Sequence, residues 1–248
     1  MNFLPSLIES LRDAEKIVAL TGAGISAESG LATFRDAQTG LWSKFRPEEL
    51  ATADAFRRDP KFVQEWYAWR RGQALEAKPN AGHLALAEME KRAPDFLLIT
   101  QNVDGLHARA GSERMVELHG NIRRFRCFEN DCGSENFDLK QQRCRSCGGH
   151  LRPGVVWFGE MLPVDAIEAA IDASENCDAF FSIGTSSLVY PAADLWRRAK
   201  DSGAVVIEIN KDPTPLTPLA DHSFLGQAGE ILPALVRKIW VHEPDGAY

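Results

Sequence analysis

Four short apolar runs punctuate the chain: Ile17-Val-Ala-Leu-Thr21, Phe96-Leu-Leu-Ile-Thr100, Ala179-Phe-Phe-Ser-Ile183 and Ala204-Val-Val-Ile-Glu-Ile209. Each is apolar on both faces, as a strand covered on both sides requires, and each ends in small or polar residues. Between them the spacing predicts helices over His83–Arg92, Val164–Ala173 and Ala192–Lys200. Buried strands alternating with helices imply an α/β fold, a Rossmann-like, doubly wound parallel sheet with helices on both faces. In such sheets ligands bind outside the carboxyl ends of the strands. The segments to examine are therefore Gly22-Ala-Gly24, Gln101-Asn-Val-Asp104, Gly184-Thr-Ser186 and Asn210.

Two stretches break the alternation. Residues 36–79 carry Trp, Phe and Arg at helix-like spacing, and residues 123–154 carry a cysteine cluster with few large apolar residues. Both read as insertions that together build a smaller domain, a helical insertion beside a zinc-ribbon insertion. The larger, nucleotide-binding domain is then expected from 1–35, 80–122 and 155–248. No internal repeat or low-complexity segment is present.

Bulk properties narrow the classes. The 248 residues carry a net charge of −7 with 44% apolar and 25% charged residues, which fits a globular protein and disfavours a general nucleic-acid binder, for want of a basic footprint. No apolar run approaches the ~20 residues that span a bilayer. Met1–Asp13 reads as an opening amphipathic helix without a basic leader, so a cytoplasmic protein with reduced cysteines is expected. Cys177 stands alone as an apolar side chain. The other four read Cys127-x4-Cys132-x11-Cys144-x2-Cys147, two close pairs able to set four thiolates tetrahedrally around zinc. Four protein ligands leave no open position, so the metal is expected to be structural. A thioredoxin-like redox role for Cys144 and Cys147 lacks its context.

The turn Gly22-Ala-Gly24-Ile-Ser-Ala27 follows a strand. Glycines there let the backbone approach a pyrophosphate, although a tight strand-to-helix turn needs glycine on steric grounds alone. It fits G-x-G-x-x-A loosely. No strand-ending acid follows ~20 residues on to hold a ribose, as dehydrogenases require, and no P-loop occurs.

The longer stretch Gly22-Ala-Gly-Ile-Ser-Ala-Glu-Ser-Gly-Leu-Ala-Thr-Phe-Arg35 resembles the NAD-binding signature of the sirtuins, NAD-dependent protein lysine deacylases. Gln101-Asn-Val-Asp104, Leu118-His-Gly120, the four cysteines, Val156-Trp-Phe-Gly159 and Gly184-Thr-Ser186 recur in that family's order, so the resemblance covers nearly the whole chain. It implies NAD as co-substrate, with the turn at Gly22, Ala23, Gly24 and Ala27 on the diphosphate. Phe34 would shield the reactive ribose carbon and Arg35 would lie along the nucleotide. Gln101 and Asn102 would sit at the nicotinamide ribose, with Asp104 and Ile25 on the carboxamide. Gly184, Thr185, Ser186 and Asn210 would face the adenosine side, and Gln227 and Ala228 the adenine. On residue chemistry alone, Asn102 and Asp104 also suit a capped turn before Gly105.

The resemblance likewise makes His119 the general base and Asn102 its catalytic companion. The acyl-lysine oxygen would attack the ribose carbon as nicotinamide leaves, and His119 would deprotonate a ribose hydroxyl that attacks the imidate. Water would then complete the release of free lysine and 2'-O-acyl-ADP-ribose. Imidazole suits this work because its pKa lies near physiological pH. His83 and His107 read as packing or hydrogen-bonding residues, and His150, His222 and His242 as surface or loop residues.

Val156, Trp157, Phe158 and Gly159 would form the edge that pairs with an acylated substrate peptide. Tyr67 and Arg70, at i and i+3 of a helix over Phe62–Arg71, share a face and could clamp a carboxylate. Tyr-Ala-Trp-Arg resembles the Tyr-x-x-Arg signature of the subgroup that removes succinyl, malonyl or glutaryl groups, and Ala32 is compatible with it. The expectation is desuccinylation and demalonylation with some deacetylation. Without the family, the two would read as a solvated aromatic and a surface cation beside core residues Trp66 and Trp69. Two other functions compete: an NAD-dependent ADP-ribosyltransferase and a non-catalytic zinc-ribbon module.

Overall fold

The computed structural model describes residues 2–32, 50–130, 132 and 143–240. Six parallel strands form one sheet: β1 (Lys16–Thr21), β2 (Asp95–Thr100), β3 (Met115–Glu117), β6 (Ala179–Ile183), β7 (Val205–Asn210) and β8 (His222–Leu225). Their order is β3-β2-β1-β6-β7-β8. All four apolar runs are strands at its centre. The short apolar stretch at 115–118 forms the outer strand β3, the outer strand β8 carries too few apolar residues to announce itself, and His222 lies in β8 rather than in a loop.

Period-two alternation sorts the side chains into two cores. Ile17, Ala19, Phe181, Ile183, Ile207 and Ile209 face helices α1 (Pro5–Asp13), α5 (Ala81–Arg92) and α9 (Ala228–Trp240). Val18, Leu20, Ile99, Phe180 and Val206 face α7 (Val164–Glu175) and α8 (Leu195–Asp201). The sheet is thus covered on both faces, as its apolar strands predict. The expected helix at 192–200 is split: Ala192–Asp194 is a 3-10 turn that leads into α8. Helix α9 was not foreseen, although its apolar residues Ile231, Leu232, Leu235, Val236 and Ile239 recur at helical spacing.

The two insertions share a third core. Helices α3 (Ala53–Arg58) and α4 (Pro60–Glu76) place Phe56, Val63, Trp66, Tyr67 and Ala74 against Ile122, Val155 and Trp157. Ile122 and Val155 belong to the antiparallel pair β4 (Gly120–Cys127) and β5 (Leu151–Val155). Asp59 caps α4 by accepting the Phe62 N–H, and Pro60 supplies a fixed φ at the first turn. Trp69, expected in the core, is 44% exposed. Among the described residues no helix is long and apolar enough to cross a membrane.

The strand order reverses between β1 and β6, so the loops leaving their carboxyl ends diverge and open a crevice. The loops meet first at three glycines. Gly22 N–H donates to Ile183 O at 3.0 Å, and Gly24 N–H donates to Gly184 O at 2.8 Å. A Cβ on Gly22 would sit 2.8 Å from Gly184 O, and one on Gly24 would sit 2.7 Å from Gly184 Cα. Gly184 itself has φ +59°, and a Cβ there would fall on the Ile25 amide. Replacing Gly184 with Ala is expected to cost roughly 2–4 kcal/mol, combining left-handed strain and a backbone clash. The urea unfolding midpoint measures it.

Candidate active site

Helix α2 (Ala23–Ala27) follows Gly22 directly and brings Ser26 into the crevice. Ser26, which sequence reasoning passed over, is the hub of a buried polar cluster. Its hydroxyl donates to Asp104 Oδ2 at 2.8 Å and lies 3.3 Å from Asn102 Nδ2. Asn102 Nδ2 also donates to Gly22 O at 3.0 Å. Asp104 Oδ1 accepts the Leu106 N–H at 2.8 Å. The capped-turn reading of Asp104 is therefore realised with one oxygen, while the other faces Ser26. Burial pushes the Asp104 carboxyl above its ordinary range, opposed by these two donors and by the positive charges of Arg109 and Arg70.

Two histidines stand behind this cluster. His83 Nδ1 accepts the Asn80 N–H at 3.3 Å within the capping box of α5, which puts its proton on Nε2, 3.4 Å from Ser26 Oγ. The signal for it was Asn80-x-x-His83, with His in the place Glu or Gln usually takes. His107, in α6 (Leu106–Ala110), lies 2.9 Å from Thr21 Oγ1, which bonds Thr100 Oγ1; that oxygen in turn accepts the Asn102 N–H. The two rings are 4.8 Å apart. Both are buried and neutral, as expected of packing residues. Burial pushes His83 down to about 4 and His107 down to about 3, the latter lowered further by the neighbouring His83.

His119 sits in the turn between β3 and β4 and is half-buried. Its Nδ1 lies 3.0 Å from Gln101 O, an atom that can only accept. The proton is therefore on Nδ1, and Nε2 keeps its lone pair. Burial lowers the His119 pKa, partly offset by the Gln101 carbonyl. The residue thus carries the protonation state of a general base at neutral pH.

On the β6 side, Gln101 Nε2 donates to Thr185 Oγ1 at 3.0 Å, and Asn210 Nδ2 donates to Thr185 O at 2.8 Å. Ser186 is half-buried and Ile25 fully buried, while Ala23 is half-buried and Ala27 exposed. Gln227 and Ala228 mark the start of α9, the first exposed and the second buried. Phe34 and Arg35 lie outside the described residues.

Opposite stands the segment after β5. Val156 N–H donates to His119 O at 2.9 Å, and Phe158 N–H donates to Ala51 O at 2.9 Å. Phe158 and Gly159 are exposed, whereas Trp157 is buried. Its indole N–H donates to the Tyr67 hydroxyl at 2.9 Å. Tyr67 is 5% exposed, so it is no solvated aromatic. Burial pushes its phenol up to about 12, and the neighbouring Arg70 opposes that. The Arg70 guanidinium lies 4.9 Å from the centre of the Trp66 ring.

The cysteine cluster forms as its spacing predicted. The sulfurs of Cys127, Cys132, Cys144 and Cys147 all lie within 4.8 Å of one another. A tetrahedron of ~2.3 Å zinc–sulfur bonds needs its sulfurs ~3.8 Å apart, so the set fits a closed zinc site. All five cysteines are free thiols, and Cys177 is buried.

A doubly wound sheet with a polar crevice at its switch point, roofed by an inserted module, defines a nucleotide-binding α/β enzyme as the class. The Sir2 family model matches residues 22–191, and the chain belongs to that family. A protein of Aquifex aeolicus named NAD-dependent protein deacylase is 55% identical over 218 residues, 86% of this chain and 90% of the relative. A crystal structure of a Sir2 homologue in complex with NAD superposes with TM-score 0.91 at 47% identity, covering 96% of this chain and 94% of that one. A Sir2 homologue mutant bound to 2'-O-acetyl ADP ribose follows at TM-score 0.88 and 46% identity, covering 96% of each. A Sir2 complex with a p53 peptide and NAD+ has TM-score 0.82 at 30% identity, covering 96% of this chain and 98% of that one.

The buried histidines make stability pH-dependent. Their folded pKa values lie below the unfolded value near 6.5, so the unfolded state binds protons first as pH falls. Stability is full above pH 6.5 and declines towards pH 4 by about 1.4 kcal/mol per pH unit for each histidine. Urea midpoints measured from pH 7 to 4 are expected to fall, and the slope to be shallower in His107→Gln.

Proposed function

We propose that the crevice binds NAD and uses it to remove acyl groups from protein lysines, releasing nicotinamide, 2'-O-acyl-ADP-ribose and free lysine. The observation that carries this reading is the placement of His119. Its protonated Nδ1 is tied to Gln101 O, one residue from Asn102, so a neutral base and a ribose-holding amide share one strand-end turn. His119 accepts the proton of a ribose hydroxyl at Nε2. Asn102 and Asp104 hold the nicotinamide half, with Ser26 fixing both side chains. Thr185 and Asn210 line the adenosine half, near Gly184, Ser186, Gln227 and Ala228. The complexes of Sir2 homologues with NAD and with 2'-O-acetyl ADP ribose support the reaction.

The partner is an acylated lysine in an extended peptide, paired along Val156, Trp157, Phe158 and Gly159; the exposure of Phe158 and Gly159 supports the role. The peptide complex of a Sir2 relative supports it as well. The four cysteines hold zinc and brace the small domain, made of 36–79 and 123–154 against the larger one. Free thiols drawn together as metal ligands fit a reducing compartment, the cytoplasm.

Succinyl and malonyl are the preferred acyl groups, with acetyl accepted. Tyr67 and Arg70 interact electrostatically from one face of α4, and both are drawn out of bulk water. A carboxylate between a phenol and a guanidinium gains charge-assisted hydrogen bonds that an acetyl group cannot make.

A panel of acetyl, malonyl, succinyl and glutaryl peptides with NAD, read by nicotinamide release, tests the reaction. Label from NAD is expected in soluble O-acyl-ADP-ribose; label retained on protein would establish ADP-ribosyl transfer instead. Replacing Arg70 with Met is expected to lower kcat/KM on succinyl-lysine roughly 10- to 100-fold more than on acetyl-lysine. Equal losses would sink the carboxylate clamp.

The His119→Ala variant is expected to lose at least ~100-fold in kcat. In the wild type the acidic limb of kcat/KM should lie below the ordinary histidine value of 6.5, because burial lowers the His119 pKa. A full-activity alanine variant would remove His119 as the base.

A further inference from the structure

The ion pair of Arg152 and Glu160 behind Trp157 reaches Tyr67 through an unbroken series of contacts. Arg152 is 2% exposed. Its guanidinium bonds both oxygens of Glu160 and donates to Val155 O at 2.9 Å. It also lies flat on Trp157, 3.3 Å from the ring centre. Glu160 accepts the Trp157 backbone N–H at 2.8 Å and pairs with Arg126 at 3.1 Å. Ring and backbone of Trp157 are therefore both held by one buried salt bridge, and its indole N–H is aimed at Tyr67 Oη.

The chemistry of that last bond has a direction. An indole N–H can only donate, so the Tyr67 oxygen accepts and its own proton must point elsewhere. No second hydrogen-bond partner of that hydroxyl exists among the described residues. A cation on the indole face draws electron density from the ring and makes the N–H a stronger donor. We propose that Trp157, held by Arg152 and Glu160, is a specificity-determining residue that orients the Tyr67 hydroxyl as an obligatory donor towards an acyl carboxylate.

This rests on the carboxylate reading of Tyr67 and Arg70 and deepens it. A phenol fixed as donor rewards an anion and leaves an acetyl methyl facing an unanswered O–H. The raised Tyr67 pKa agrees, since the group stays protonated throughout the working range. The arrangement also ties acyl choice to the peptide edge, because Trp157 lies between Val156 and Phe158.

The test is a double-mutant cycle on the ratio of succinyl to acetyl kcat/KM, using Tyr67→Phe, Trp157→Phe and both together. Phenylalanine at 157 keeps an aromatic face for Arg152 and removes the donor together with the second ring. Tyr67→Phe is expected to lower the ratio about 10- to 100-fold and Trp157→Phe about 3- to 10-fold. The double variant should match Tyr67→Phe alone, because Trp157 acts through the Tyr67 hydroxyl. Losses that multiply, or an unchanged ratio in Trp157→Phe, would overturn the role of Trp157 while leaving the clamp intact. A wild type without succinyl preference, whose Arg70→Met variant loses both activities equally, would overturn both.

A readout that does not depend on folding of the Trp157 variant comes from indole 15N–1H spectra of the wild type and of Tyr67→Phe. One indole resonance is expected to move on Tyr67→Phe substitution and to shift more with succinyl-peptide than with acetyl-peptide. Absence of such a resonance would count against the proposal.

Discussion

The contact between the backbone at Gly22–Gly24 and the backbone at Gly184 is the constraint on which the site depends. Two loops leave the sheet on either side of its reversal point and can close on each other only if neither carries a Cβ there. Their hydrogen bonds, Gly22 to Ile183 and Gly24 to Gly184, fix the start of α2 and hence Ser26. Gly22 O then receives Asn102, and Thr185, one residue past Gly184, receives Gln101 and Asn210. Four strand ends, those of β1, β2, β6 and β7, are thereby tied together around one close approach. The glycines are needed first for backbone-to-backbone packing. Their amides at 22 and 24 donate to protein carbonyls, so the steric reading accounts for these two glycines.

The opposite wall is built from another kind of interaction. Helix α4 comes from one insertion and the Trp157 segment follows the other, and they meet in a core where aromatic rings do most of the packing. Phe56 lies 5.3 Å and Phe128 6.2 Å from Trp157. A buried guanidinium in such a place would be costly alone, and its two-fold pairing with Glu160 offsets that cost. The wall is thus tightly packed around Trp157 and exposed at Phe158 and Gly159.

Much of this was legible in the sequence because the informative patterns are local. The central strands were evident from apolar runs, and the zinc site from cysteine spacing. Gln101, Asn102 and Asp104 stood out because polar residues at strand ends are chemically conspicuous, whereas His119 was set apart from the other histidines only by the family resemblance. Ser26, Glu160 and Arg152 were not, since their partners lie at Asp104, Arg126 and Trp157, and only the fold joins them. Trp69 was misplaced because Trp66 and Trp69 look alike in sequence, whereas only Trp66 turns into the core. Strand β8 and helix α9 went unforeseen: β8 is short with exposed alternate residues, and α9 carries Pro233 in its interior.

Histidine shows why composition alone could not settle the chemistry. Three of the six are near the crevice and all three are pushed towards the neutral form. Neutrality therefore does not distinguish them; the hydrogen bonds do. His83 spends Nδ1 on the Asn80 amide and directs Nε2–H at Ser26, so it acts as a donor behind the Ser26, Asn102 and Asp104 cluster. His107 is wholly buried against Thr21 and His83 and has no path to a substrate. His119 alone places its proton on a main-chain carbonyl and keeps a basic nitrogen on a half-exposed ring. A base for a ribose hydroxyl requires that combination of an oriented ring, a free lone pair and access. It arises because the turn between β3 and β4 sets His119 beside the end of β2, where Gln101 O has no other role in the sheet.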